Sequence, residues 1–400
     1  MEEQNQQITY FLIDDDLYVE APGLRGALKL PDPKVLFADP TGFLESKSFI
    51  TPQDTARPVD APVFKYGRMF RNPELPEYRP KEKGLIDLGY DMGEETSPGD
   101  NPGLPAGYVY LGQFIDHDLS FNAMTNRLPL GEGSVQDEKN LRSPSLDLDS
   151  LYGLDPSTFK QTELGMKVYK DEVMLSVGPT IADSDVPGLP VFQNDLPREG
   201  DPKKSEAAAV ADPRNDENLI VAQTHLTFIK FHNAVVETLK GTLTGEALFD
   251  AAREQVVRHY QWIILRDYLP KIIEEKVLEE IVENGCTYLQ FGEEEEASVP
   301  FEFAMAAYRF GHTQVNVEYE WNRVFQSNPP GFFSASLNDL FMFTGFGQKK
   351  LFNRLRLPSS WVIDWTRFFD FTDIPEVVNS QHSNRARSIC PSLVTAMTKL

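Results

Sequence analysis

The stretch that most constrains this chain is LGQFIDHDLSF, residues 111–121. It places three ionisable side chains, Asp116, His117 and Asp118, inside an otherwise apolar run with helical spacing. Carboxylates beside an imidazole are costly in an ordinary core, because buried charges need partners. The sequence therefore predicts a helix whose core face carries a chemical site, with Gln113 one turn before the histidine on the same face.

Composition excludes some classes of function. The chain has 400 residues, 41% of them hydrophobic, which is enough for one large core or two ordinary ones. Its formal net charge of -23 repels phosphate backbones, so no nucleic-acid partner is expected. No apolar run is long enough for a membrane span, and the acidic N-terminus predicts no signal peptide. The compartment stays open between the cytoplasm and export by a route without a signal peptide.

The first quarter of the chain differs in composition from the rest. Residues 1–105 are rich in Pro, Gly and Asp, which predicts an irregular N-terminal wrap that is part of the same domain as the helical region 106–400. The acidic run at 293–296 is interpreted as a solvated loop. Only two cysteines are present, Cys286 and Cys390, so at most one disulfide is possible.

Helical periodicity dominates the remainder. It begins near Gly107, and the longest predicted helix covers residues 217–240. Two more helices follow, with Pro270 predicted to separate them. A further helix is predicted over 301–316, in which Gly311 lowers the helix propensity. The pattern predicts a mainly α protein with long loops.

The chain has six histidines, and each is first weighed as an ordinary hydrogen-bonded core residue. Three are interpreted as structural: His225, His232 and His259. No two histidines lie four residues apart and no Cys/His cluster exists, so a zinc site is not expected. His312 differs, because Arg309 lies one turn before it on the same face. A neutral histidine there could bind a metal while the arginine meets an anion.

Two loop segments complete the candidate set. In ADPRNDEN, residues 211–218, Asp212 is well placed to cap a helix, and Arg214 and Glu217 lie three residues apart. Taken alone, this segment is interpreted as a helix cap with a surface ion pair.

The second loop segment is RSPSLDLDSLYG, residues 142–153. Its oxygen-bearing side chains alternate along the chain: Ser143, Ser145, Asp147 and Asp149. Such donors on an extended loop can curl around a hard cation such as Ca²⁺. A solvated acidic loop is the alternative interpretation.

Together these segments resemble the animal-type haem peroxidases of the peroxidase–cyclooxygenase superfamily. QFIDHD is similar to the distal-histidine motif of that family, and DPRNDEN followed by THLTFIKFHN resembles its distal-arginine segment and the next helix. YRFGHT resembles the proximal-histidine helix, and HYQWIILRDYLP resembles a further family stretch. The resemblance covers roughly residues 63–375 in the family's order, and the absence of the vertebrate cysteine pairs indicates the bacterial branch. It implies central helices around a haem.

The resemblance implies catalytic roles for three residues. His117 corresponds to the distal base, Arg214 to the cation that stabilises charge as the O–O bond breaks, and Gln113 to the residue that holds water and peroxide. It also implies that His312 is the proximal iron ligand and that Arg309 pairs with a haem propionate.

The implied cofactors are haem b and Ca²⁺. Asp116 and Glu217 match the carboxylates that form ester bonds to haem methyl groups in this family during turnover with peroxide. Asp118 matches the Ca²⁺ ligand beside the distal histidine. The loop ligands that complete this site are Ser143, Ser145 through its carbonyl, Asp147 and Asp149.

The chain also departs from the family pattern. Asn218 stands where the myeloperoxidase-type branch has a methionine, so no sulfonium link to haem is expected. Arg309 occupies the position of the cyclooxygenase radical tyrosine, and Tyr308 lies one step off. The family's asparagine that accepts the proximal histidine N–H has no match in VVNSQHSNRARSIC, which contains Asn379 and Asn384. We expect either that the chain lacks the family's C-terminal end or that the proximal support differs.

The implied function is a haem-dependent peroxidase that reduces H₂O₂ and oxidises halides, thiocyanate or small aromatic donors. One alternative is a fatty-acid oxygenase on the same scaffold, which oxygen uptake with an unsaturated fatty acid would reveal. Another is a non-catalytic, calcium-stabilised relic, which would show calcium-dependent melting without a haem absorbance band.

Overall fold

The computed structural model describes residues 9–13, 16–20, 28–29, 64–69, 81–93, 99–122, 139–181, 191–198, 208–285, 297–322, 324–327, 334–345, 356–372, 374, 377 and 383–390. Several expectations from the sequence fall elsewhere and stay untested: the loop at 293–296, Cys286 and Asn379. In the part of the chain that the structure describes, no helix is both long and apolar enough to cross a membrane.

The described helices confirm the mainly α fold. The α-helices are α1 (Glu82–Gly93), α2 (Gly107–Leu119), α3 (Asp149–Tyr152), α4 (Pro156–Phe159), α5 (Gly165–Val168), α6 (Leu219–Leu239), α7 (Gly245–Ile263), α8 (Leu269–Ile272), α9 (Glu275–Asn284) and α10 (Phe301–Met305). Shorter 3₁₀ segments lie at Pro213–Asp216, Ala307–Gln314, Leu337–Phe341, Ser359–Trp361 and Trp365–Arg367. Helix α2 begins at the predicted residue, and α6 matches the longest predicted helix.

The described strands are short and antiparallel. They are β1 (Thr9–Ile13), β2 (Asp16–Glu20), β3 (Leu28–Lys29), β4 (Phe64–Lys65), β5 (Asp100–Pro105), β6 (Lys139–Asn140), β7 (Gly178–Pro179), β8 (Gln193–Asp195), β9 (Glu318–Tyr319), β10 (Ala335–Ser336) and β11 (Arg385–Arg387). The first three form a small sheet, and the others pair as β4–β6, β5–β11, β7–β8 and β9–β10. Of residues 1–105 only these strands, α1 and a few neighbours are described, so the N-terminal wrap stays a prediction.

Helix α2 lies between two hydrophobic clusters. Phe114 is fully buried and stacks on Phe228 of α6, with ring centroids 5.1 Å apart. Tyr110, one turn before Phe114 on α2, packs into the second cluster against Tyr319. Because α2 contributes apolar side chains to both clusters, its polar residues are fixed in place from within the core.

The interpretation of Pro270 as a helix break is wrong. Helix α7 passes into a π-helical turn at Ile264–Tyr268 and continues as α8, which contains the proline. A proline removes a backbone donor and crowds the carbonyl four residues earlier. The π turn changes the hydrogen-bond register directly before Pro270, and such wide turns accommodate helix irregularities. The chain leaves helical geometry only at Ile273.

The helix predicted over 301–316 is not a single α-helix. Helix α10 ends at Met305, and the segment Ala307–Gln314 is a 3₁₀ helix. Residues three apart eclipse each other in 3₁₀ geometry. Arg309 and His312 therefore still share a face, as the sequence predicts, while Tyr308 lies on another.

Candidate functional site

His117 lies near the end of α2 and is buried. Its Nδ1 lies 2.9 Å from Oδ1 of Asn215, and the amide nitrogen of Asn215 lies 2.9 Å from Nδ1 of His225. An amide oxygen only accepts hydrogen bonds, so His117 donates from Nδ1 and leaves the lone pair of Nε2 free. The pKa of His117 is lowered to about 4 by burial and then by the charge of Arg214. The ring is thus a neutral imidazole with a proton acceptor at Nε2.

Arg214 lies in the first half of the 3₁₀ turn that leads into α6, and its partner is Asp212. Its Nε lies 3.0 Å from Oδ1 and its Nη2 lies 2.6 Å from Oδ2 of that carboxylate. Nη2 also donates to the main-chain carbonyl of His117 at 3.0 Å. The expected cap is confirmed, because the side chain of Asp212 accepts from the N–H of Arg214. The expected surface ion pair of Arg214 with Glu217 is wrong, because the partner of the arginine is the fully buried Asp212.

Gln113 and Glu217 meet on the His117 side of the site. The amide nitrogen of Gln113 donates to Oε2 of Glu217 at 2.7 Å, and that oxygen lies 4.0 Å from Nε2 of His117. Burial raises the pKa of Glu217 against the opposing effect of Arg214. Asn218, the residue found in place of methionine, donates to Oε1 of Gln113 at 2.9 Å and caps α6.

Asp116 connects this side of the site to the segment that carries His312. Its Oδ2 lies 3.4 Å from Nη2 of Arg309, and its Oδ1 accepts a hydrogen bond from Ser120. Arg309 also donates from Nε to the carbonyl of Ala304. The structure therefore brings α2 and the 3₁₀ helix together through a carboxylate and a guanidinium one turn before His312.

His312 has the donor arrangement of a metal ligand. Its Nδ1 lies 2.9 Å from the main-chain carbonyl of Arg309, which can only accept, so the proton is on Nδ1 and Nε2 is free. Burial lowers the pKa of His312, although its side chain remains exposed to solvent, so the neutral form is favoured. A neutral imidazole with its second nitrogen anchored is the form that binds iron. The donor chemistry of His312 therefore fits a haem iron.

A largely buried carboxylate cluster, in which Asp147 is partly exposed, lies next to His117. One oxygen each of Asp118, Asp147 and Asp149 lie within 4.8 Å of one another, and Oδ1 of Asp149 is buried without a hydrogen-bond partner. Burial and the neighbouring Asp147 raise the pKa of Asp118 to about 7. Such a set is typical of a hard cation site, and the alternative of a solvated loop is wrong for Asp149, which is 0% exposed.

The remaining expected ligands surround this cluster. The hydroxyl of Ser143 lies 3.0 Å from Oδ1 of Asp147 and 3.4 Å from the carbonyl of Ser145. Leu148 turns the loop in a left-handed conformation with φ of 59°, a conformation uncommon for a leucine. Its N–H donates to Asp118 at 3.1 Å. The loop is therefore folded around the carboxylates rather than extended into solvent.

Four residues of the site were missed by the sequence interpretation in these roles. Arg142, Asp212 and Asn215 lie inside or beside the quoted segments, but only tertiary contacts show what they hold. Tyr66 gave no signal at all: it follows β4, is buried, and its hydroxyl has no hydrogen-bond partner among the described residues. Burial raises its pKa, and the charges of Arg214, Asp116 and Arg309 act on the same hydroxyl, so it lies at the centre of the site.

Comparison with known proteins shows the family. The family model "Animal haem peroxidase" matches residues 126–354, more than half of the chain. The match begins after the α2 motif, so Gln113, Asp116, His117 and Asp118 lie outside it.

Sequence relatives match over limited stretches. Peroxidasin homolog pxn-1 from Caenorhabditis elegans is 34% identical over 108 residues, which are 26% of this chain and 8% of the relative. Human thyroid peroxidase is 24% identical over 197 residues, covering 47% of this chain and 20% of the relative. The matched parts are thus small fractions of the relatives' own lengths.

Among solved structures, Peroxidase A from Dictyostelium discoideum superposes with a TM-score of 0.50 and 13% identity. The superposition covers 88% of this chain and 71% of that chain. At this identity the likeness shows the fold alone, and it confirms the fold class expected from the sequence.

Proposed function

The chain belongs to the animal haem peroxidase family, and we propose that it is itself a haem-dependent peroxidase acting on H₂O₂. The cofactor is haem b, with His312 as the proximal ligand and His117 facing the peroxide. The electron donor is a halide, thiocyanate or a small aromatic molecule. The assignment to the bacterial branch stays a prediction.

One observation carries this proposal. His117 and His312 each donate from Nδ1 to an acceptor and each present an unprotonated Nε2. Their segments meet through the contact of Asp116 with Arg309. One free nitrogen can ligate iron while the other accepts a proton, which is the division of labour that a peroxidase requires.

The haem, when bound, supplies the iron on which H₂O₂ is reduced. The protein's own residues handle the protons and charge. With haem bound, His117 would take a proton at Nε2 from the peroxide and return it to the leaving oxygen. Arg214, fixed through Nε and Nη2, keeps Nη1 free of partners among the described residues and can donate it to that oxygen.

Gln113 and Glu217 shape the peroxide side of the pocket. Their mutual hydrogen bond holds a carboxylate 4.0 Å from the His117 nitrogen that takes the proton. This carboxylate can hold water against Nε2 and stabilise the imidazolium that forms on proton transfer. Arg309 lies where it can meet both Asp116 and a haem propionate.

Ca²⁺ is the second proposed cofactor. The proposed ligands are Asp118, Asp147, Asp149, the hydroxyl of Ser143 and the carbonyl of Ser145. Oδ1 of Asp149 supports this assignment: it has no hydrogen-bond donor and meets only the Arg142 guanidinium at 3.6 Å, and a buried carboxylate oxygen without a donor is stabilised by a bound cation. The ion would fix the end of α2 next to His117.

The alternatives from the sequence gain no support from the site. Tyr308 donates to the hydroxyl of Tyr268 at 3.3 Å, on a different face from His312, so no observation favours a fatty-acid oxygenase. The buried, ordered hydrogen bonds of His117 and Arg214 are costly to keep in a scaffold without chemistry, which argues against a relic.

The test is haem loading of the full chain. We expect a Soret band on mixing with haem, and peroxide-dependent oxidation of a dye. His312→Ala should lose both. His259→Ala is the matched control, since His259 also binds a carbonyl of its own helix but lies on the outer surface of α7, and it should keep both. Normal haem binding and turnover by His312→Ala would refute the proposal.

A further inference from the structure

Asp212 is a buried carboxylate shared by two arginines. Arg142 approaches it with Nε at 3.0 Å and Nη2 at 2.6 Å, and Arg214 approaches it with Nε at 3.0 Å and Nη2 at 2.6 Å. The side chain of Asp212 is 0% exposed and that of Arg142 only 7%. The two cations together lower the pKa of Asp212 against the effect of burial, so it stays ionised.

The two arginines also share a second acceptor and one aromatic ring. Both donate to the main-chain carbonyl of His117, Arg142 at 3.2 Å and Arg214 at 3.0 Å. Both guanidinium groups lie over Phe121, at 5.3 Å and 4.2 Å from its centroid. A movement of Arg142 therefore changes the surroundings of Arg214 and of the His117 backbone together.

Arg142 also lies close to a second carboxylate, that of Asp149. Its Nε lies 3.6 Å from Oδ1 of Asp149, the oxygen without a hydrogen-bond partner in the carboxylate cluster. A guanidinium between two buried carboxylates divides its charge between them, since each carboxylate needs a partner. Whatever neutralises Asp149 frees Arg142 to bind Asp212 more fully.

We propose that Arg142 is a positioning residue that couples a cation bound at Asp118, Asp147 and Asp149 to the placement of Arg214, through Asp212. A bound Ca²⁺ takes over Asp149 and repels Arg142 toward Asp212. Asp212 is then held from both sides and keeps Arg214 with Nη1 turned to the pocket. Without the cation, Arg142 is drawn to the carboxylate cluster and Asp212 loses one of its two partners.

Such coupling is reciprocal, because two binding events that favour the same arrangement strengthen each other by the same factor. The functional consequence rests on the proposed function, since it concerns a ligand on the haem iron beside Arg214. The coupling itself can be measured without haem. Two experiments therefore separate the coupling from the peroxidase assignment.

The first experiment is a double-mutant cycle on Ca²⁺ affinity, measured by titration calorimetry on the full chain. Arg214→Gln removes the arginine that holds Asp212 where Arg142 binds it, so Arg142 returns to Asp149 and Ca²⁺ binds less tightly than the loss of a positive charge alone would give. In the Arg142→Gln background the same substitution shows only the general effect of removing a positive charge. We expect the two effects to differ by about fivefold or more.

The second experiment uses fluoride as a ligand of the ferric, haem-loaded chain, followed by absorbance. Saturating Ca²⁺ should tighten fluoride binding by about fivefold or more relative to chelator in the wild type. Arg142→Gln should bring this ratio to about one. Arg142→Lys keeps the charge but cannot bridge two acceptors with a fork, and should give an intermediate ratio.

The matched control is Arg367→Gln, which removes an equally buried arginine that pairs with Glu320, away from the carboxylate cluster. It should lower the melting temperature without changing either ratio. Equal effects of Arg214→Gln in both backgrounds, or no Ca²⁺ binding by the wild type, would overturn the coupling. A normal cycle in a chain that takes up no haem would support the coupling and refute the peroxidase assignment.

Discussion

Asn215 determines which ring nitrogen of His117 carries the proton. Its Oδ1 lies 2.9 Å from Nδ1 of His117, and its Nδ2 is directed at Nδ1 of His225. Because the amide oxygen meets His117 and the amide nitrogen meets His225, the two tautomers are set together, with the proton on Nδ1 of His117 and on Nε2 of His225. The hydrogen bond from His117 to Asn215 therefore leaves Nε2 of His117 unprotonated.

We expect Asn215→Leu to slow the reaction of the haem-loaded chain with H₂O₂ by about 10²-fold, because the proton acceptor at Nε2 is no longer fixed. Stopped-flow absorbance measures this rate directly. Asn233→Leu is the control, since Asn233 bonds both backbone groups of Leu175 and loses stability only. If both variants keep the wild-type rate, His117 does not depend on Asn215.

Burial of neutral histidines predicts a loss of stability in acid. The pKa of His117 is lowered to about 4 and that of His225 to about 3, in both cases chiefly by burial, from an ordinary value of 6.5. Between pH 6.5 and these values the unfolded chain binds more protons, so the free energy of unfolding falls as pH falls.

Each such histidine contributes a slope of at most about 1.4 kcal/mol per pH unit in this window. Urea unfolding at pH 7, 6 and 5 measures it. We expect His225→Gln, whose amide oxygen can still accept from Asn215, to reduce the slope by this order. His259→Gln, an exposed control, should leave the slope unchanged, and an equal slope in all three proteins contradicts the burial argument.

Calcium affinity should depend strongly on Asp149. Asp149→Asn removes a charge from the only cluster of three carboxylates that the described residues form, and we expect its Ca²⁺ Kd to rise by about tenfold or more. Melting temperatures with Ca²⁺ and with chelator give a second measurement, and the variant should respond less. Asp155→Asn is the control: this partly exposed carboxylate lies six residues after Asp149, outside the cluster, and caps α4, so its loss should leave the Kd unchanged.

The sequence predicted the site residues that stand in recognisable order, because their spacing along one helix or one turn already fixes their neighbours. His117 and Asp118 point to different sides of α2, and Arg309 and His312 stay on one face even though the helix is 3₁₀. These relations depend on local geometry, which a pattern of residues encodes.

Contacts between distant segments could not be predicted in the same way. Arg142 and Asp212 meet across 70 positions, and Asn215 reaches His117 across 98. Nothing in the helical pattern shows that Pro270 follows a π turn, since that depends on how α7 packs. Such features follow from tertiary packing, which overrides local preference.

Tyr66 is the residue of the site that no sequence pattern indicated. Its buried hydroxyl has no partner among the described residues, yet Asp116, Arg214 and Arg309 all act on its pKa. Removing an unsatisfied buried hydroxyl costs little stability. We therefore expect Tyr66→Phe to keep the wild-type melting temperature and to weaken fluoride binding to the ferric haem protein by about threefold to tenfold. Tyr152→Phe is the control, since it removes a hydrogen bond to His232. It should lower the melting temperature and leave fluoride binding unchanged.

Ester bonds to haem are predicted for Asp116, which precedes His117 in the chain, and for Glu217, whose Oε2 lies 4.0 Å from Nε2 of His117. Asp116 faces Arg309 at 3.4 Å, and a carboxylate held in place by this contact can act as a nucleophile toward an oxidised haem methyl group. After treatment of the haem-loaded chain with H₂O₂, acid–acetone extraction should leave haem on the protein, and mass spectrometry of peptides should find it on both residues.

Asp116→Asn and Glu217→Gln should each lose one attachment, and the double variant should release all haem. Asp267→Asn, which loses only a hydrogen bond from Tyr108, is the control and should retain both attachments. Complete extraction of haem from the wild type after turnover would show that both carboxylates serve only as charged neighbours of His117 and Arg309.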